Sequence, residues 1–182
     1  MAAIEQLSDR RLVVSQPEGG IRTPPHNIEA EQALLGAILV NNDAFDRVSD
    51  FLKAEHFSEE LHRRVYEVLS QLIRAGKIAT VITLKTYLAD ADLGGLTVSQ
   101  YLARLAAEAT TIINAEDYGR TIYDLAIRRD LIVIGAEIVN TAYDAPIDAA
   151  PRQQIEEAER KLYSIAETGR YDGGFQSFGN AI

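Results

Sequence analysis

Cysteine is absent from all 182 residues, which excludes thiolate zinc sites, thiol nucleophiles and disulfide scaffolds in one step, though it does not by itself fix a redox compartment. Also missing is a basic-then-apolar leader at the N-terminus. No apolar run approaches the roughly 20 residues that span a bilayer. A cytoplasmic chain with no membrane partner is expected. Positive charge is in short supply, with 18 Lys and Arg against 27 Asp and Glu, a net charge of −9 and a pI near 4.8. Such a surface repels phosphate backbones and gains nothing from counterion release, so a protein partner is expected ahead of a nucleic acid. Arg63-Arg64 and Arg128-Arg129 are the local exceptions. Acidic neighbours surround both pairs, and they read as solvated mixed-charge faces.

Catalytic motifs are equally scarce. A phosphate-binding loop needs G-x-x-x-x-G-K-[ST], because backbone N–H groups cradle the phosphate and a hydroxyl reaches Mg²⁺. The one Gly-Lys pair, Gly76-Lys77, is followed by Ile78, and Gln71 stands where the first Gly belongs. His56 and His62 lie near Glu55, Glu59 and Glu60. Six residues do not put two imidazoles on one helix face, and no H-E-x-x-H occurs, so neither a metal nor an acid–base site is assigned. No catalytic, cofactor-binding or metal residues are expected in this chain.

What is present is helical punctuation. A chain of this size buries roughly 70% of its unfolded surface and supports a core without staples. Residues 1–23 mix polar and charged types around Leu12-Val13-Val14 and read as a disordered arm. Asn27 is placed to cap a helix over Ile28–Val40, with Glu29 and Glu31 in its first turn, where the helix dipole favours negative charge. Asn41-Asn42-Asp43 stops it and opens a short helix through Phe45, Val48 and Phe51. Ser58, Glu59 and Glu60 open a third, whose apolar positions from Leu61 to Ile73 repeat every three to four residues up to Gly76. Thr83 is expected to cap a fourth helix through Leu88, ended near Gly94-Gly95. Thr97 and Gln100 have capping-box spacing. Asn114 is expected to cap the longest helix, about Ala115 to Tyr143, and Pro151 to open a last one running to Glu167.

With no strand pattern, the chain reads as all-α: a compact helical bundle with a long antiparallel helical hairpin and a C-terminal linker helix. The helical domain spans 24–145. Its hairpin is expected at about 97–143, Thr97–Ala109 against Ala115–Tyr143, because the connection is so short. The long helix outruns that partner by several turns. Its stripe of Ile122, Leu125, Ile132, Ala136 and Val139, with Tyr118 and Ile127 off it, has apolar surface to offer a second chain. Residues 146–182 read as a linker helix, with Ile155, Ala158, Leu162 and Ile165 in a stripe, and a Gly- and Phe-bearing tail toward a further domain.

The string Pro24-Pro25-His26-Asn27-Ile28-Glu29-Ala30-Glu31-Gln32-Ala33-Leu34-Leu35-Gly36 resembles the opening of the N-terminal domain of DnaB-family replicative helicases. His62-Arg63 through Gly76 resembles that family's His-Arg helix. Val81-Ile82-Thr83-Leu84 resembles its V-T-L step, and Gly94-Gly95 with Tyr101-Leu102 its G-G…Y-L. The long helix over Ala115–Arg129 and the helix over Gln154–Glu167 extend the likeness to roughly residues 24–178, in an alphaproteobacterial-like form. Ile78-Ala79-Thr80 departs from the Pro-Ile-Asp-like step of many members.

The resemblance implies an N-terminal collar domain in a DNA-replication helicase. In that family hairpins pair subunits into dimers, three dimers make the hexameric ring, and the collar receives the helicase-binding domain of primase. A helicase loader is a further candidate partner, and little direct DNA binding is implied. Tyr118, Ile122 and Leu125 become hairpin-interface candidates, and Ile155, Leu162 and Ile165 linker-docking candidates. ATP and Mg²⁺ would belong to a motor domain that this chain lacks, with ATP-driven unwinding the work of the parent protein. The competing class is a free-standing helical adaptor or inhibitor that binds the helicase or primase. The helicase-binding domain of primase itself, of related helical build, is disfavoured by the Pro-Pro-His-Asn string. A helix-turn-helix DNA binder is disfavoured by the acidity.

Overall fold

A computed structural model describes residues 22–88, 95–109, 114–146 and 150–168. Within them the chain is helical: α1 (Ile28–Val40), α2 (Asp43–Asp46), a 3-10 turn (Ala54–His56), α3 (Glu60–Arg74), α4 (Val81–Lys85), α5 (Val98–Glu108), α6 (Ala115–Asp144) and α7 (Pro151–Thr168). The arm expected over 1–23 lies outside the described residues up to 21, as do Gly94, the turn at 110–113 and the tail from Gly169 onward.

α1 is the axis of the core. Asn27 caps it in extended conformation, its side-chain oxygen accepting from the Ala30 N–H at 2.9 Å. From Leu34 to Leu39 every residue is buried, so α1 has no solvent face there and must be covered on all sides. α3, α5 and α6 do the covering. Val65, Leu69 and Leu72 supply the buried face of α3, Leu102 and Leu105 that of α5, and Ala115, Ile122, Tyr123 and Ala126 that of α6. Gly36 is where α1 and α5 cross most closely: a Cβ there would fall on the Leu105 carbonyl oxygen.

That placement corrects the expected hairpin. α5 and α6 both pack on α1, which lies between them, and they share little contact with each other. The hairpin forms instead between α6 and α7. Gln154 near the start of α7 donates to the Ile138 carbonyl at 3.0 Å, and Lys161 pairs with Glu137 at 2.8 Å. Ile165 near its end sits beside Ala126, Ile127, Arg129 and Asp130, so the two helices run antiparallel. The helix read as a linker is therefore packed along the distal half of α6. With 30 residues, α6 extends about 45 Å at 1.5 Å per residue, well past the core.

Two caps also differ from expectation. Thr80, not Thr83, is the N-cap of α4, and the two side chains form a reciprocal box, with Thr83 Oγ1 accepting from the Thr80 N–H at 2.8 Å. Asn114 sits at the head of α6 but makes no side-chain capping bond. The stop at Asn41-Asn42-Asp43 has a wider role. The Asn42 amide donates to the carbonyls of Ile38 and Ala79 and accepts from the Ala79 N–H, each at 2.8 Å. It thereby ties the stretch before α4 to the end of α1. Asn42→Ala removes all three bonds and is expected to lower stability by about 2 kcal/mol, read from the midpoint of urea unfolding.

Candidate protein-interaction surface

A small polar network that the sequence reading does not foresee lies between α1, α3 and α5. Glu31, expected as a first-turn charge on α1, is instead 1% exposed. Its carboxylate lies at the N-terminal end of α3, accepting from the Ser58 N–H and Oγ–H at 2.7 Å each and from the Glu59 N–H at 3.5 Å. The helix dipole of α3 favours that negative charge, so Glu31 serves the neighbouring helix rather than its own. His62, also buried, places Nδ1 2.7 Å from Glu31 Oε2 and Nε2 2.7 Å from the Tyr101 hydroxyl. Gln32 Nε2 donates to that same hydroxyl at 2.9 Å. A single assignment satisfies every group: His62 Nδ1–H donates to Glu31, Tyr101 O–H donates to Nε2, and Gln32 donates to the Tyr101 oxygen. Burial raises the Glu31 carboxyl, but the bonds from His62 and Ser58 outweigh it and hold it below the ordinary range. Burial pushes the Tyr101 hydroxyl up.

A carboxylate, an imidazole and a hydroxyl in line resemble an acyl-transfer relay in outline. Here the hydroxyl is a phenol that already donates to the imidazole and accepts from Gln32, and the row joins α1, α3 and α5. It is a brace. His56 does not join it: its Nδ1 accepts from the Lys53 N–H at 3.0 Å, and its ring meets Tyr123 edge to face at 5.0 Å. Burial holds the His56 imidazole below its ordinary value, against the opposing pull of Glu55 and Asp130. Among the described residues, no three His, Asp or Glu side chains come together as a metal site.

Arg129 anchors the base of the hairpin. Its guanidinium donates to the Pro25 carbonyl at 2.9 Å and to the His56 carbonyl at 2.6 Å, tying the Pro-Pro entry and the 3-10 turn to α6. Next to it a cleft of about 290 Å³ opens between His56, Ala126, Arg129, Asp130 and Ile165. Of the interface candidates, Ile122 is 2% exposed inside the chain's own core and has no surface to offer a second chain. Tyr118 packs partly buried on the same core, and Leu125 is half-buried. The exposed apolar side chains lie further along: Leu131, Ile132, Val133, Val139 (52%) and Tyr143 (82%) on α6, and Tyr163 on α7. Of the docking candidates on α7, Ile155 and Leu162 are exposed and Ile165 is half-buried at the cleft. Ile122 and Val139 share one stripe by helical period but fall in different halves of α6, the first buried in the core and the second exposed on the stretch that packs against α7.

The described residues thus make an all-α core from which a helical hairpin of α6 and α7 extends, with exposed apolar side chains among charged ones. Residues 23–124 match the family described as DnaB-like helicase N terminal domain. The replicative DNA helicase DnaB of Rickettsia typhi is 46% identical over 162 residues, covering 88% of this chain and 33% of that protein. The Pasteurella multocida helicase of the same name is 34% identical over 160 residues, covering 85% and 33%. The crystal structure of the N-terminal domain of DnaB helicase from Mycobacterium tuberculosis superposes with a TM-score of 0.69 at 27% identity, over 78% of this chain and 99% of that one. A structure of a DnaB-like replicative helicase and its interactions with primase gives a TM-score of 0.60 at 27% identity, over 76% of this chain and 31% of that one. This chain belongs to the DnaB-like helicase N-terminal domain family, and it spans about a third of the length of the Rickettsia and Pasteurella relatives.

Proposed function

We propose that these 182 residues are the assembly and docking domain of a replicative helicase: copies pair through the α6–α7 hairpin, pairs close into a hexameric collar, and the collar receives primase. The observation that carries this reading is the free half of the hairpin, where Ile132, Val139 and Tyr143 stand exposed on a helix whose other half is packed in the core. Bare apolar residues along a rigid helix of this length are well suited to burial against a second copy. Family membership supplies the context, and the structure of a DnaB-like relative has been described together with its interactions with primase. ATP-driven DNA unwinding is proposed for the whole protein, with ATP and Mg²⁺ held outside these helices. The net charge of −9 fits a domain that binds proteins and leaves DNA to others.

The test is sedimentation equilibrium of the chain against its Ile132→Glu/Val139→Glu variant. Concentration-dependent dimerisation is expected for the first, with at least about a hundredfold weaker association for the second, as two central apolar anchors become charges. Equal association of the two would overturn the hairpin as the pairing surface.

A further inference from the structure

A second surface lies at α4, which packs mainly on α5 and α3 rather than on the hairpin. Its orientation follows from its cap. Ala79, just before the Thr80 N-cap, and Leu84, in the fourth helical position, are both fully buried, which is the staple arrangement at a helix start. Val81 packs partly buried on the same core, which leaves Ile82 as the apolar residue of this five-residue helix that turns outward. Ile78 is 71% exposed, Ile82 82% and Tyr87 55%. The Thr83 hydroxyl donates to the Ile78 carbonyl at 3.1 Å and so ties the backbone of residue 78 to the first turn of α4. Singly exposed apolar residues are ordinary. Three stand exposed within ten positions about one capped helical turn.

Charge says what covers it. In a chain of net charge −9, the fifteen positions from Arg74 to Leu88 contain no Asp or Glu. Arg74, Lys77 and Lys85 are exposed there, and none is paired with a carboxylate among the described residues. Arg74 is turned away to lie over the Phe45 ring at 5.8 Å, which leaves Lys77 and Lys85 as the cations nearest α4 in sequence. We propose that the outward face of α4, Ile78, Ile82 and Tyr87 rimmed by Lys77 and Lys85, docks an acidic amphipathic helix of a partner protein. The apolar residues receive the partner's stripe at helical spacing, and the lysines meet the carboxylates that flank it. Phosphate backbones are bound through cations without apolar anchors, and α4 is too short to lie in a membrane as an amphipathic helix. This site is independent of the hairpin and of whether the hairpin pairs two copies.

The test uses the isotope-labelled 182-residue chain and two synthetic peptides of about 18 residues, both with Leu at helical spacing, one flanked by Glu and the other by Lys. With the Glu peptide, amide shifts are expected to cluster over Lys77–Tyr87. The Lys peptide should bind at least about tenfold more weakly, as should the Glu peptide to Ile82→Ser and to Lys85→Glu. Both positions are exposed, so thermal unfolding of the variants should match the parent. No shifts in this segment, or equal binding of the two peptides, would overturn the proposal. So would adsorption to phosphatidylserine vesicles that Ile82→Ser abolishes, or weaker self-association of Ile82→Ser, since the occupant would then be a membrane or a second copy.

Discussion

Glu31→Ala is expected to destabilise the chain by about 3–5 kcal/mol, the cost of removing one member of a buried, charge-assisted network. The change strips four bonds at once. Ser58 loses the acceptor for its N–H and its hydroxyl, Glu59 loses a weaker one, and the His62 Nδ1–H is left buried and unpaired. Glu31→Gln keeps the shape and one acceptor oxygen, so about 2 kcal/mol is expected. Urea unfolding followed by circular dichroism at pH 7 reads both. A loss under about 1 kcal/mol for Glu31→Ala would show that the network does not brace α1, α3 and α5.

The same residue predicts the acid limb of stability. The Glu31 carboxyl is held below its ordinary value of 4.5, so its contribution is complete above that value and is lost as pH falls through the folded-state value. His56 adds to this with the same sign. Its imidazole is held below the ordinary 6.5, so the unfolded chain takes up that proton first and stability starts to fall once pH drops below 6.5. Unfolding free energy should therefore decline in two stages on acidification. Glu31→Gln should flatten the lower stage alone.

Gly36→Val gives the second large effect, and its sign opposes helix propensity. In an open helix, replacing Gly with Ala stabilises by up to about 1 kcal/mol. At Gly36 a Cβ meets the Leu105 carbonyl and the Ala109 methyl, so α1 and α5 must move apart. Leu105, Leu102 and Ile38 then lose contact, and a loss of about 3 kcal/mol is expected for valine, with alanine less severe. Gly135→Ala is the matched control. It lies in α6, where an added Cβ would meet nothing within 4 Å, and it should raise the melting temperature. If both glycines behave alike, close approach of α1 and α5 is not what holds Gly36.

Local chemistry was the legible part of this chain. Asn27, the Thr97–Gln100 box and the Pro151 start each act within four residues, and the structure places each where the spacing puts it. Thr83 was misplaced by one turn because Thr80 and Thr83 both carry the right hydroxyl, and only their mutual bonds show which is the cap. Pairings across the fold were not legible. Glu31 reaches His62 over 31 positions, and His62 reaches Tyr101 over 39. Nothing in either neighbourhood marks the partner. The hairpin differs for another reason: a short connection makes α5 and α6 neighbours in sequence, yet α1, buried on every side from Leu34 to Leu39, takes the place between them. α7 then finds the distal half of α6 uncovered.

The absence of cysteine allows the most direct test of the pairing surface. Single cysteines placed at Ile132, Val139 and Tyr143 on the free half of α6, and at Glu67 on the exposed side of α3, would each be oxidised at a concentration where the chain self-associates. Disulfide-linked dimers are expected from at least one hairpin position and not from Glu67. Dimers through Glu67 alone, with every hairpin position remaining monomeric, would contradict assembly through α6 and α7.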